Sequence, residues 1–224
     1  MTTCVISQPR LFPGMHYLDR MLQADVFVVF DVVQFNPRHE ENRFRVRGTS
    51  GPEWVTASVD KGPRERAIRD VRLSKDMPWI DGCKNALERH YGKAPHYRER
   101  IAEVHDALDG GHESLVGLDM ASWQPALRAL RPSCEFVLAS NLKSDGKGPE
   151  LLLDLCREVG ADVYLSGGFG REYLDQALFT DAGVEVRFHE YAPDPYPQRG
   201  AEFVPFLSYL DRMFEAGFAA VAVE

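Results

Sequence analysis

The sequence predicts an α/β fold with a central parallel or mixed sheet flanked by helices, a β-hairpin extension and a mostly helical insert. Three observations predict it. Residues 26–31 form a run of strand length, apolar up to Asp31, the pattern of a parallel strand buried on both faces. Residues 134–190 alternate such runs with helical spacing, as βαβ units do. Between these regions, residues 78–131 carry helical spacing broken by Pro95 and Gly110-Gly111 and stopped by Pro132.

The elements follow in order. Residues 4–8 read as a short strand entering a turn at Pro9 and Pro13. Residues 14–23 suit a helix with Met15, Leu18, Met21 and Leu22 on one face. Beyond the 26–31 strand, residues 42–48 and 53–59 alternate around Gly48-Thr49-Ser50-Gly51-Pro52, a hairpin pattern. Residues 67–73 add a candidate strand. Helices over 78–91, 95–108 and 114–130 make up the insert, at about 76–131. The α/β pattern then returns with a strand over 134–140 and a helix over 149–159, which lines up Leu151, Leu152, Leu155 and Val159. A strand over 162–166, a helix over 171–178, a strand over 184–190 and a last helix over 202–216 complete it. One domain spanning 1–224 is expected.

The bulk properties exclude several classes. At 224 residues and 44% hydrophobic, the chain can bury a sizeable core. A net charge of −8 argues against nucleic acid as a partner. No apolar run approaches the roughly 18 residues of a membrane helix, so no membrane insertion is expected. Met1-Thr2-Thr3-Cys4 shows no basic segment leading into an apolar one, which points to a cytoplasmic protein. Cys4, Cys83, Cys134 and Cys156 lie far apart without a C-x-x-C pair, and read as reduced thiols. The histidines lack H-x-H or H-E-x-x-H spacing, so no metal is expected, and no cofactor fingerprint is complete.

Polar residues gather in the first forty-seven positions. Gln8, His16, Asp31, Gln34, Asn42 and Arg43 sit at or near the ends of apolar runs, where α/β folds bind ligands. His16 or Asp31 can serve as a proton acceptor, and Arg43 as a charge-stabilising group; equally, His16 can be a packed structural residue. Ser166, Gly167 and Gly168 follow a strand and precede a helix, which suits a phosphate or carboxylate cradle or, alternatively, a tight turn with glycines at positive φ. Residues 144–150 resemble a P-loop fragment without its first glycine and final hydroxyl residue, so a Walker-type site is not expected. No G-x-S-x-G elbow occurs. Asp211 lies beside an apolar helix stripe and reads as a partly buried carboxylate with a partner. Tyr196 and Gln198 belong to a proline-rich loop able to wall a pocket.

Taken in order, these blocks resemble the WbqC-like family. The resemblance rests on Ile6-Ser7-Gln8-Pro9 with Pro13, Ala24-Asp25-Val26-Phe27-Val28, Asp31 with Gln34-Phe35, and Asn42-Arg43. It continues through Trp54-Val55-Thr56, Ile68 with Asp70-Val71, and His90-Tyr91-Gly92-Lys93-Ala94-Pro95. Tyr164-Leu165-Ser166-Gly167, Tyr173-Leu174-Asp175, Tyr196 with Gln198, and Leu207-Ser208 with Asp211 complete it. Many members have histidine before the opening glutamine, where this chain has Ser7, so no role of that histidine carries over.

The resemblance implies surface-polysaccharide (O-antigen, lipopolysaccharide) or natural-product biosynthesis, and with it amide-forming acyl or aminoacyl transfer to a small amine or amino sugar. The expected catalytic set is His16, Asp31 and Arg43. The expected substrate-binding set is Ser7, Gln8, Gln34, Asn42, Ser166, Gly167, Gly168, Tyr173, Tyr196, Gln198 and Asp211. The expected partner is a small molecule, carrier-protein-bound or nucleotide-linked. Two alternatives stand beside this reading: a hydrolase of an ester, thioester or amide, and a non-catalytic binding protein of a biosynthetic cluster.

Overall fold

The computed structural model describes residues 1–76, 78–200 and 202–218. One position of the expected insert, residue 77, and the end of the expected domain, residues 219–224, therefore lie outside the described residues. The chain groups into two compact units: residues 1–8, 19–33 and 132–192, and residues 9–18, 34–131 and 193–224.

The first unit is built on a parallel sheet, as the unbroken apolar runs require. Its strands are β1 (Thr3–Ser7), β2 (Val26–Val29), β5 (Glu135–Leu138), β6 (Val163–Ser166) and β7 (Glu185–Phe188). They lie in the order β5-β2-β1-β6-β7, and every pairing is parallel. The register sets Cys4 beside Val26 on one side and beside Tyr164 on the other. Helix α5 (Gly148–Glu158) opens with Pro149, whose fixed φ suits the first turn. It buries Leu151, Leu152, Leu155 and Cys156 in a core with Cys4, Ile6, Val28 and Phe179. Short helix α6 (Gln176–Thr180) is capped by Asp175, whose side chain accepts from Ala177 N.

The second unit pairs β3 (Arg43–Arg47) with β4 (Pro52–Thr56) as an antiparallel hairpin. Helices α2 (Trp79–Tyr91) and α7 (Tyr209–Glu215) pack on it, and α3 (Tyr97–Leu108) packs on α2, α7 and α4 (Leu115–Leu130). Its interior is aromatic. Phe12 meets Phe44 edge-on at 5.0 Å, and Phe214 lies 5.4 Å from Tyr91 and 5.1 Å from Tyr97. Helix α1 (Met15–Leu22) follows β1 in sequence and contributes residues to both units.

Three expected elements differ. Residues 67–73 form a 3-10 turn at Ile68–Asp70 with isolated bridges at Ala67, Arg72 and Leu73 rather than a strand. The helix expected over 171–178 is a 3-10 turn, Gly168–Glu172, followed by α6. The last helix starts at Tyr209, not 202. Phe206 after Pro205 is left-handed (φ 59°), and Ser208 then caps the helix by accepting from Leu210 N.

Leu155 is fully buried in α5. Leu155→Ala removes its packing and leaves a cavity, so stability should fall by about 2–5 kcal/mol, read as a lower urea midpoint with an unchanged slope.

Candidate functional site

The sheet order of the first unit creates a place for a ligand. From β1 the chain moves to β2 and then β5 on one side, and returns to β6 and β7 on the other. The connections after β1 and β6 therefore diverge, and the crevice outside their carboxyl ends is where open α/β sheets bind ligands. Ser7 ends β1 and Ser166 ends β6, and both are buried. Arg20, on α1, reaches Ser7 with its guanidinium: Nη2 donates to Ser7 Oγ at 3.1 Å. Arg20 is only 7% exposed, so its charge sits in a poorly solvated position where charge interactions are strong.

None of the glycines after β6 is needed for an unusual backbone angle, and only Gly170 is needed for packing. Gly167 is extended (φ −64°), and Gly167, Gly168 and Gly170 are not among the positive-φ residues. A Cβ on Gly170 would collide with Ser166 Oγ, and one on Gly167 would stand 3.4 Å from Arg20 Nη1. The bare backbone at Gly170 lets Ser166 come close to the turn, whereas the Gly167 contact is an ordinary one. His189 follows β7 directly, and its N–H donates to Ser166 O at 2.8 Å. Its ring Nε2 lies 2.6 Å from Asp19 Oδ2, and the ring stacks on Tyr191. A buried imidazole held by a carboxylate is the arrangement of an oriented general base.

Among the expected residues, Ser7, Ser166, Gly167 and Gly168 thus meet within this unit, with partly buried Gln8 next to Ser7. Tyr173 follows the turn and is largely exposed, as is Phe169. Asp31 lies just beyond β2, where its carboxylate accepts from Ser140 N at 2.9 Å and Ser140 Oγ at 2.6 Å and ties down the turn after β5.

The remaining expected residues belong to the second unit. Asp211 is buried and accepts from Tyr91 Oη (2.9 Å), Tyr196 Oη (2.8 Å) and Gln198 Nε2 (2.7 Å). Gln198 Oε1 in turn accepts from Arg47 Nη1 and Val204 N, so this network braces Tyr196, Gln198 and Val204 against α2 and α7. Burial raises the Asp211 carboxyl above its ordinary value, although the three donors pull it the other way. Arg43 donates to the carbonyls of Arg38 and His39 and lies over the Trp54 ring at 4.1 Å. Asn42 Nδ2 donates to Ala57 O, and Gln34 Nε2 to Arg64 O. His16 Nε2 stands 3.3 Å from Arg10 Nη1, which also pairs with Glu40 at 2.5 Å. Three thiols are poor nucleophiles: burial pushes Cys83 up to about 12 and Cys134 up to about 11, and Cys4 is raised by its hydrogen bond with Cys156 and then by burial.

Sequence reasoning missed Arg20, Asp19 and His189. The signal for His189 was its place after an apolar run, had the strand been ended at Phe188. Arg20 had no signal, since an arginine in an amphipathic helix reads as solvated.

Fold and crevice together define an open parallel α/β protein with buried polar side chains at the strand ends where the strand order reverses. The chain belongs to the WbqC-like protein family, whose model matches residues 8–223. It is similar to "Uncharacterized protein Rv1507c" of Mycobacterium tuberculosis (strain ATCC 25618 / H37Rv), at 29% identity over 230 residues, 98% of this chain and 96% of that protein. No solved structure matches the chain. Among the described residues, no helix is long and apolar enough to cross a membrane.

The Asp211 network sets a pH-dependent test. A carboxyl raised on folding contributes stability that is complete below the ordinary carboxylate range and is lost as pH rises through the raised value. Tyr91→Phe removes a donor to the ionised form and strands the Arg47 N–H that the Tyr91 hydroxyl accepts. It should cost about 1–3 kcal/mol, and the deficit against wild type should widen from pH 4 to pH 8 in thermal melts.

Proposed function

We propose that the chain is a biosynthetic acyl or aminoacyl transferase that forms an amide on a small amine or amino sugar, with the strand-end crevice of the first unit as its reaction site. The observation that carries this reading is the His189–Asp19 pair at 2.6 Å, at the same sheet edge as buried Arg20 and the two strand-end hydroxyls. In this scheme His189 Nε2–H donates to Asp19, and Nδ1 receives the proton of the attacking amine. The amine nitrogen bonds to the acyl carbon of a thioester or nucleotide-linked donor. The bond to the leaving group breaks, and that group departs with the electron pair and is then protonated. Arg20, with the Ser7 and Ser166 hydroxyls, stabilises negative charge on the donor or on the developing oxyanion.

Direct attack by the amine needs no protein nucleophile, which agrees with the raised cysteine thiols. Among the sequence candidates, Asp31 and Arg43 already hold backbone groups and act as braces in this scheme, and the proton-accepting role goes to His189. The family resemblance supports a biosynthetic setting.

The test is mass spectrometry of the purified chain with a panel of acyl thioesters, amines and amino sugars. The expected product is the amide, formed with release of the thiol. His189→Asn should lower kcat by about 100-fold or more, and Asp19→Asn less. Arg20→Met should weaken use of anionic donors most. Release of free acid without amide would make the chain a hydrolase, and no turnover of any donor would sink the enzymatic reading.

A further inference from the structure

Two large aromatic side chains of the second unit stay exposed, Trp54 at 44% and Phe206 at 42%. The hairpin explains the first. Alternation turns Phe44, Val46 and Val55 inward, where they are buried, and leaves Arg43, Arg45, Arg47 and Trp54 on the outer face. The cross-strand pairs of that face are Arg43–Thr56, Arg45–Trp54 and Arg47–Pro52. They contain no acidic residue, although the chain carries a net charge of −8. Arg43 lies over the Trp54 ring at 4.1 Å, and Arg45 lies 5.6 Å from it.

Phe206 belongs to the same surface. Ser208 N donates to Arg45 O at 2.9 Å, so the 206–208 segment runs along the edge of β3 away from β4. Phe206 meets the His16 ring edge-on at 5.5 Å. His16 Nε2 is 3.3 Å from Arg10 Nη1, Arg10 pairs with Glu40 at 2.5 Å, and Glu40 Oε1 is 3.9 Å from Arg45 Nε. Contacts thus run unbroken from Trp54 to Phe206. The left-handed backbone of Phe206 (φ 59°) is strained for a bulky residue, and partial exposure repays little of that strain.

The surface is positive. Arg10, Arg43 and Arg45 face one carboxylate, Glu40, and the hydrogen bonds of Arg43 go to neutral carbonyls. Arg45 Nε makes no hydrogen bond. Glu41 also feels Arg10 and Arg43, but it is 1% exposed and offers the surface no carboxylate. Arg47 is engaged elsewhere: it serves Gln198, and its charge lowers the buried Asp211 carboxyl.

We propose that the outer face of the hairpin, from Trp54 to Phe206, is a docking surface for an acidic protein partner, the carrier domain that brings the acyl thioester. Naming the carrier rests on the acyl-transfer reading. The acidic chemistry rests on charge complementarity with the three guanidiniums. Exposed tryptophan, phenylalanine and arginine in one cluster are the composition of protein hot spots. A pleated strand face suits a protein surface, whereas small ligands are held in concave sites. A second copy docked by the same face would set these guanidiniums against one another.

The experiment titrates the full chain with a panel of purified acidic carrier domains and follows tryptophan fluorescence, to which half-exposed Trp54 responds while Trp79 and Trp123 are buried. Saturable binding by at least one domain is expected, weakening about 10-fold or more from about 50 to about 500 mM sodium chloride. Calorimetry then reads the variants. Trp54→Ala and Arg45→Gln should each weaken binding about 10-fold. Phe206→Gly should weaken it similarly yet melt no lower than wild type, because glycine adopts φ 59° without strain. Binding is read without turnover, so its result is separate from that of the transfer assay: amide formed from small thioesters with no carrier bound would overturn the docking alone. The proposal also falls if the three variants bind as wild type does, if ADP or UDP binds through Arg45 while no carrier does, or if the chain is a dimer that Trp54→Ala splits.

Discussion

The structure of the first unit depends on β1 being paired on both sides. A strand hydrogen-bonded to parallel neighbours along both edges must be apolar on both faces, and Cys4, Val5 and Ile6 are buried. Pro9, which has no N–H to donate, stands just past its end, so the ladder stops at Ser7. Phe30 N donates to Ser7 O, which aligns the end of β2 with that of β1. The β6–β7 pairing then sets Ser166 beside Phe188, and His189 N donates to Ser166 O. Four strand ends are thereby levelled along one edge, and polar side chains there share a sheet edge without long loops to place them.

The same physics of buried charge leads to different outcomes across the molecule. Asp31 is buried but takes two bonds from Ser140, one through the backbone, and so works as a brace. Asp211 takes three donors and still has its carboxyl raised, because desolvation outweighs them. Asp19, about a third exposed, takes the His189 ring. Asp119 shows the opposite limit: it is fully buried, its carboxylate oxygens accept no hydrogen bond among the described residues, and burial raises its carboxyl well above the ordinary value.

Period and length made most of the fold legible. Stretches of five to seven residues gave the parallel strands within a residue or two, and the insert helices came from 3.6-residue spacing bounded by Pro and Gly. The misses have local causes. Ile68 and Val71 are buried by tertiary packing, not by strand alternation, so the 67–73 segment mimicked a strand. Pro205 and left-handed Phe206 broke a helical pattern whose spacing continued through them. The site was half legible. Hydroxyls and glycines at strand ends follow from the strand pattern, so Ser7 and Ser166 to Gly168 could be named. Arg20 could not, because burial of one arginine on α1 depends on a sheet edge assembled from residues more than a hundred positions away.

The serine at position 7 shapes the chemistry of the proposed site. Where many family members resemble one another in a histidine, this chain has a hydroxyl, and that hydroxyl accepts from Arg20. A serine cannot act as a base near neutral pH without one of its own, whereas as an acceptor it can hold a guanidinium in place. A transfer reaction in this crevice therefore needs its proton acceptor from another strand end. His189 stands at the end of β7, oriented by a carboxylate from α1, the same helix that carries Arg20. Adjacent Asp19 and Arg20 thus bind two different partners, a base and an anion-holding hydroxyl, and α1 couples the two halves of the proposed chemistry.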